Sequence, residues 1–243
     1  ERRPAAPGST RQMLLISLAA VAMACVAPPA GPTTRVEVAP PVAKAQESVD
    51  ATIRRAIAAW GKVKTLRATF EQTLTNPVTG SAMVSKGTLE QRKPNQLAIT
   101  FNDPAGDRIV GDGKHVWVYL QSATPGQVIK LASTDAGAAS TDLIGQFLTT
   151  PRSKYDASDA GAERVGTRNA RAVVLLAKPG QALPFVRAKV WVDGADGLIR
   201  QFEATDANGI TRRVRLLTIQ PNVTVNAKAF TFTVPSGVRI VER

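Results

Sequence analysis

The sequence predicts an α+β fold in which a strongly curved antiparallel sheet of ten or so strands carries an N-terminal helix and a mid-chain helical insertion. Apolar and polar residues alternate with a period of two through many short segments, the pattern of half-buried strands. Turn clusters such as Asp112-Gly113 and Asp206-Ala207-Asn208-Gly209 separate those segments. Only two stretches of the expected domain place apolar residues at helical spacing. A sheet that large tends to curl into a barrel or an open half-barrel, whose inner face must be filled or covered.

The chain opens with Arg2, Arg3 and Arg11 ahead of an apolar run, Met13–Val26. A run of that length is too short to span a bilayer comfortably and suits a secretory signal, so residues 1–27 are expected to be a signal peptide and the protein to be exported to the periplasm. Cys25 follows Ala22-Met23-Ala24, where a lipoprotein signal would place its lipidated cysteine, so a lipid anchor is the alternative. Residues 28–46, rich in Pro, Ala and Val without periodicity, read as a disordered tether, and 47–243 as the folded domain.

From Ser48, the residues Val49, Ile53, Ile57 and Trp60 share one helical face, and Gly61 ends the helix. Strands are then expected at 66–74, 83–91, 96–101, 108–110, 116–120 and 127–131. In the segment 140–150, Leu143, Ile144, Phe147 and Leu148 fall on one helical face behind a Ser140/Thr141/Asp142 cap region, and Pro151 closes it. Strands resume at 173–177, 187–192, 198–204, 212–219 and 230–234.

Composition narrows the chemistry. The one cysteine lies in the signal region, so the domain has no disulfide and no cysteine metal site. With His115 as the single imidazole, a multi-histidine site is impossible, and a serine triad could use no other base. No cofactor or metal is expected. The net charge of +12 suggests an acidic partner, yet no basic patch is interleaved with stacking aromatics, so nucleic acid is not expected. A hydrolase using Glu71 with Glu90, or Asp103 with Asp107, is the enzymatic alternative. It needs two carboxylates at a defined separation in a cleft.

Several motifs, in order, resemble the outer-membrane lipoprotein carrier family (LolA). They are the helix followed by Thr69-Phe70-Glu71-Gln72, the stretch Gly87-Thr88-Leu89 through Arg92-Lys93-Pro94-Asn95, Asp112-Gly113-Lys114 leading into Val116-Trp117-Val118-Tyr119, and the ending Phe230 to Val238. The resemblance implies an incomplete, half-open antiparallel β-barrel of about ten or eleven strands, closed by the N-terminal helix and a mid-chain helical lid. It also implies a monomeric, non-enzymatic periplasmic carrier of acylated lipoproteins, loaded by an inner-membrane ABC-type exporter and unloaded by an outer-membrane lipoprotein receptor. A lipid-anchored acceptor or envelope-stress sensor of the same fold is the alternative. The family typically has an arginine gate before the Pro-Asn; here Lys93 stands there, with Arg92 one residue earlier. A lysine lacks the planar five-donor fork.

Strand alternation assigns Leu97, Ile99 and Phe101 to the cavity wall, with Phe70, Val110, Trp117, Trp191 and Phe202 as further candidates. Leu143, Ile144 and Phe147 would form the underside of the lid. The same alternation equally fits a closed core that these residues simply fill.

Overall fold

The computed structural model describes residues 47–132, 142–150, 152–181 and 183–242. The expected signal, tether and Cys25 lie outside them, as do Ser140 and Thr141 of the expected cap.

Helix α1, Val49–Gly61, starts where the Ser48 hydroxyl accepts a hydrogen bond from the Ala51 amide at 3.2 Å. Its buried stripe is Thr52, Ile53, Ala56 and Trp60. Ile57, expected on that stripe, is 44% exposed, because the helix is turned so that the small Ala56 meets the sheet. Arg55 pins the helix, donating to the Asp193 carbonyl at 2.6 Å while pairing with Glu47 at 3.0 Å. Gly197 makes the close approach possible. Its φ of +75° suits glycine, and a Cβ there would stand 3.2 Å from that of Ala59.

One sheet of twelve strands receives the helix. Its first half comprises β1 (Thr65–Thr75), β2 (Ala82–Arg92), β3 (Gln96–Asp103), β4 (Ala105–Asp112), β5 (His115–Tyr119) and β6 (Gln127–Ala132). The second comprises β7 (Tyr155–Val165), β8 (Arg168–Ala177), β9 (Arg187–Asp193), β10 (Ile199–Thr205), β11 (Thr211–Pro221) and β12 (Arg239–Glu242). The order β12-β6-β5-β4-β3-β2-β1-β11-β10-β9-β8-β7 makes two meanders that join where β1 pairs with β11. The sheet does not close on itself, so its shape is the expected half-open barrel.

Three parts of the chain differ from expectation. Strand β7 is an eleven-residue edge strand made of Asp, Ser, Ala, Gly, Glu and Arg between a buried Tyr155 and a buried Val165. Edge strands tolerate such polar composition because only one side is paired. Residues 230–234 form no strand. Ala227–Phe230 is instead a 3₁₀ turn capped by Asn226, and the alternating Phe230 and Phe232 pack on the sheet's outer face. The last strand, β12, pairs with β6 in parallel, the one parallel pair among the described strands of an otherwise antiparallel sheet.

The largest buried cluster lies on the inner face and brings together Trp60, Phe70, Phe101, Phe147, Phe185 and Phe202. Gly87 lets Phe70 reach it: a Cβ at that position would lie 2.3 Å from the Thr100 carbonyl oxygen and 3.0 Å from the Phe70 ring. A polar knot fixes the far end of the sheet. Asp193, 1% exposed, pairs with Arg168 at 2.6 Å and with Arg200 at 2.8 Å, and accepts the Ala195 amide. Burial works to raise the Asp193 carboxyl, but Arg168, the Ala195 amide and Arg200 outweigh it and hold the group well below the usual carboxylate range.

The stability this provides is fully present above the unfolded value of about 3.9 and is lost as pH falls through the depressed folded value. Asp193→Asn is expected to cost about 3 kcal/mol at neutral pH, by leaving Arg200 without its buried partner. In urea unfolding, the gap between the two proteins should close as the pH drops below about 4. A gap independent of pH would mean that Asp193 acts through packing alone.

Candidate functional site

Each inner-facing residue is set by strand alternation. In β3 the inner residues are Leu97, Ile99 and Phe101; in β5 they are Val116 and Val118; in β11 they are Arg212, Val214 and Leu216. The inner space divides in two. Beneath α1 it is filled by side chains, with Phe70 edge-on to Phe101 at 5.7 Å and Phe147 against Phe202 at 4.9 Å and Phe185 at 5.6 Å. Beyond that packing a cavity of about 350 Å³ remains, at the low end of the range for small-molecule sites.

The cavity wall comes from both meanders. Strands β3, β4, β5 and β6 contribute Leu97, Ile99, Ile109, Val116, Val118 and Leu131, and β1 and β10 contribute Leu74, Phe202 and Ala204. Leu143 and Gln146 close it from the mid-chain segment, and Pro184 from the loop between β8 and β9. The polar groups at its edge are Gln146, Asp206 and Arg212.

Of the residues named from sequence, Leu97, Ile99, Leu143 and Phe202 line the cavity. Phe70, Phe101, Ile144 and Phe147 face inward but belong to the filled part. Val110, Trp117 and Trp191 require correction, since all three stand on the outer face. Val110 pairs in register with Trp117, which stacks on Phe232 at 5.5 Å and donates its indole N–H to Asp112 at 3.0 Å. Trp191 packs with Val165, Ala170 and Ala172 and donates to Glu163 at 2.7 Å. Both indoles satisfy their polar edge there, which the apolar inner face would deny them. Among the lining residues missed, Ile109, Val116 and Val118 each stand one position away from an outer residue that was named, and Leu74, Leu131, Ala204 and Ile210 were not singled out.

The mid-chain segment is a single helical turn, α2 (Gln146–Thr149), entered through an Asp142 turn. Asp142 accepts the Gly145 amide at 2.7 Å, and it also accepts the Trp60 indole N–H at 3.2 Å, which ties the segment to α1. A Cβ at 145 would displace the Asp142 carboxylate from its present position. Lys93 meets the same cluster: its ammonium donates to the Trp60 carbonyl at 2.7 Å and lies 4.4 Å from the Trp60 ring centroid. Burial lowers the Lys93 pKa, while the Asp142 charge works the other way. Arg92 turns to the outer face, bonding Gln96 at 2.6 Å and covering Phe230. Of the two basic residues, Lys93 therefore touches the helices and Arg92 does not.

The carboxylate pairs considered for hydrolysis are engaged elsewhere. Glu71 pairs with Arg215 at 3.1 Å and Glu90 with Arg67 at 2.8 Å, both on the outer face. Asp107 is buried and accepts the Ser122 amide at 3.0 Å, while Asp103 is exposed.

The family profile described as outer membrane lipoprotein carrier protein LolA matches residues 61–233. The chain belongs to this family. Relatives named outer-membrane lipoprotein carrier protein include one from Leptothrix cholodnii, 28% identical over 74% of this chain and 81% of its own. Another, from Pectobacterium atrosepticum, is 28% identical over 74% of this chain and 82% of its own. Among solved structures, an uncharacterized conserved protein from Thermus thermophilus superposes with a TM-score of 0.49 at 14% identity, covering 80% of this chain and 98% of its own. Membership makes the molecule a carrier-family protein with a lipoprotein-binding fold. Among the described residues no helix is long and apolar enough to cross a membrane.

Asp142→Ala should free the segment from α1. The two lost bonds are worth about 1 kcal/mol each, so amide exchange at Gly145–Thr149 is expected to speed up about thirtyfold while β8 to β10 stay protected. Unchanged exchange would mean that Phe147 alone holds the segment down.

Proposed function

We propose that the protein is a periplasmic carrier that shelters the acyl chains of lipoproteins in its inner cavity and ferries them from the inner to the outer membrane. The observation that carries this reading is the unfilled apolar space beside the one-turn segment that covers it. In this reading an ABC-type exporter supplies the cargo and an outer-membrane receptor takes it. The carrier works as a monomer, without catalysis or cofactor.

Magnitudes favour a gate opened by its cargo. Each buried methylene contributes about 0.8 kcal/mol, so one long acyl chain gains roughly 10 kcal/mol on leaving water. The covering segment is held by the Trp60–Asp142 bond, worth about 1 kcal/mol, and by the burial of Phe147 and Ile144, worth about 2 kcal/mol each. A chain entering from the cavity side therefore offsets the loss of those contacts. The contacts reform when the chain leaves, which favours release. Lys93 acts as the gating residue in place of the family's arginine. It stiffens the Trp60 carbonyl end of α1, against which the segment docks.

Filling the space tests the reading without breaking the fold. Val118→Phe projects a ring into the cavity from β5 and should leave the unfolding free energy from urea titration within about 1 kcal/mol of the parent. Acylated lipoprotein co-purifying with the carrier from its own envelope fraction should fall at least tenfold. Full retention of cargo by this variant would place the acyl chains outside the cavity.

A further inference from the structure

Strand β11 carries three arginines, and among the described residues only two of them have a counter-ion. Arg213 and Arg215 face outward, where Glu203 accepts from the first at 2.7 Å and Glu71 from the second at 3.1 Å. Arg212 alternates with them onto the inner face. There it stands in register with Leu74 on one side and Ala204 on the other, two residues of the cavity wall. Among the described residues no carboxylate comes within ion-pair distance of its guanidinium, and no acceptor comes within hydrogen-bond distance.

The nearby acid does not fill that role. Asp206 turns one carboxylate oxygen into its own tight turn, accepting the Asn208 amide at 2.9 Å and the Ile210 amide at 3.0 Å. Arg212 is exposed to solvent at the rim of the cavity. Desolvation lowers its pKa against the opposing pull of Asp206, and the side chain stays charged at any physiological pH.

A fixed cation at the rim of an apolar-walled cavity, with Asp206 beside it but turned into its own loop, matches a ligand that is apolar along its length and acidic at one end. We propose that the cavity takes an anionic amphiphile, whose acid group pairs with Arg212 while its hydrocarbon tail lies along Leu97, Ile99 and Phe202. This rests on the reading of the cavity as a hydrocarbon site and adds a head-group preference to it. A planar guanidinium binds a carboxylate or a phosphate through paired hydrogen bonds, so a free fatty acid and a lysophospholipid share the required chemistry.

Competition with a fluorescent acyl probe on the intact protein, at low ionic strength, separates the possibilities. Palmitate is compared with methyl palmitate, and palmitoyl lysophosphatidate with monopalmitoylglycerol, so that only the charge of the head differs in kind within each pair. The parent protein should bind the acid of at least one pair about tenfold more tightly than its neutral partner, and the preferred pair identifies a carboxylate or a phosphate source. Arg212→Gln should abolish that ratio, and Arg212→Lys should keep most of it. Equal binding of acid and neutral partner by the parent protein, or a preference that survives Arg212→Gln, overturns the head-group assignment while the hydrocarbon site stands. If none of the four competes, the hydrocarbon reading fails first and the assignment fails with it.

Discussion

A single sheet with one apolar face must have that face covered, and here the sheet is too long for one helix to do it. Twelve strands joined as two meanders present an inner surface that a thirteen-residue helix shields only in part. The covering is shared between α1, the one-turn segment around Phe147 and the loop that carries Phe185. Everything that distinguishes this molecule from a closed barrel follows from that shortfall. Where the cover is complete the interior is packed with aromatic rings; where it ends, a cavity persists. A water-filled apolar hollow is unfavourable for the empty protein, and an apolar occupant would relieve that cost.

Trp60 links the parts of the cover. Its ring is buried against the inner face, its carbonyl receives Lys93 from the turn between β2 and β3, and its indole N–H reaches Asp142 at the entrance to α2. One residue therefore joins α1, the sheet and the mid-chain segment. The outer face has a cover of its own, in which Phe230 and Phe232 from the C-terminal segment shield β3 to β5. The sheet is stabilised on both sides there, so its inner face can be left partly empty without the strands losing their support.

Most of the architecture was legible in period-two alternation, because each strand that packs on the core shows the pattern wherever its outer residues meet water. The failures have physical causes. Strand β7 is an edge strand whose polar sequence carries no signal, and it is held by pairing with β8 alone. The Phe230/Phe232 alternation is real but serves a strap lying on a sheet. Facing was the weakest inference. In β5 the valines and the aromatic residues alternate, and Trp117 was placed among the cavity candidates, whereas the C-terminal strap makes the outer face the one that takes large rings. In β4 the choice of Val110 over Ile109 was a slip of one residue, which exchanges the faces. The Arg92-Lys93-Pro94-Asn95 turn was legible only as a motif. That Lys93 rather than Arg92 reaches the helices depends on which way each side chain leaves the turn.

The central claim is that hydrocarbon occupies the inner cavity. Methyl NMR of the protein, titrated with a lipid spin-labelled on its acyl chain, tests it residue by residue. The account predicts selective broadening of the Leu97, Ile109, Val118 and Leu131 methyls while those of Val128, on the covered outer face, stay sharp. Broadening centred on the outer face, or none beyond what free spin label causes, would contradict it.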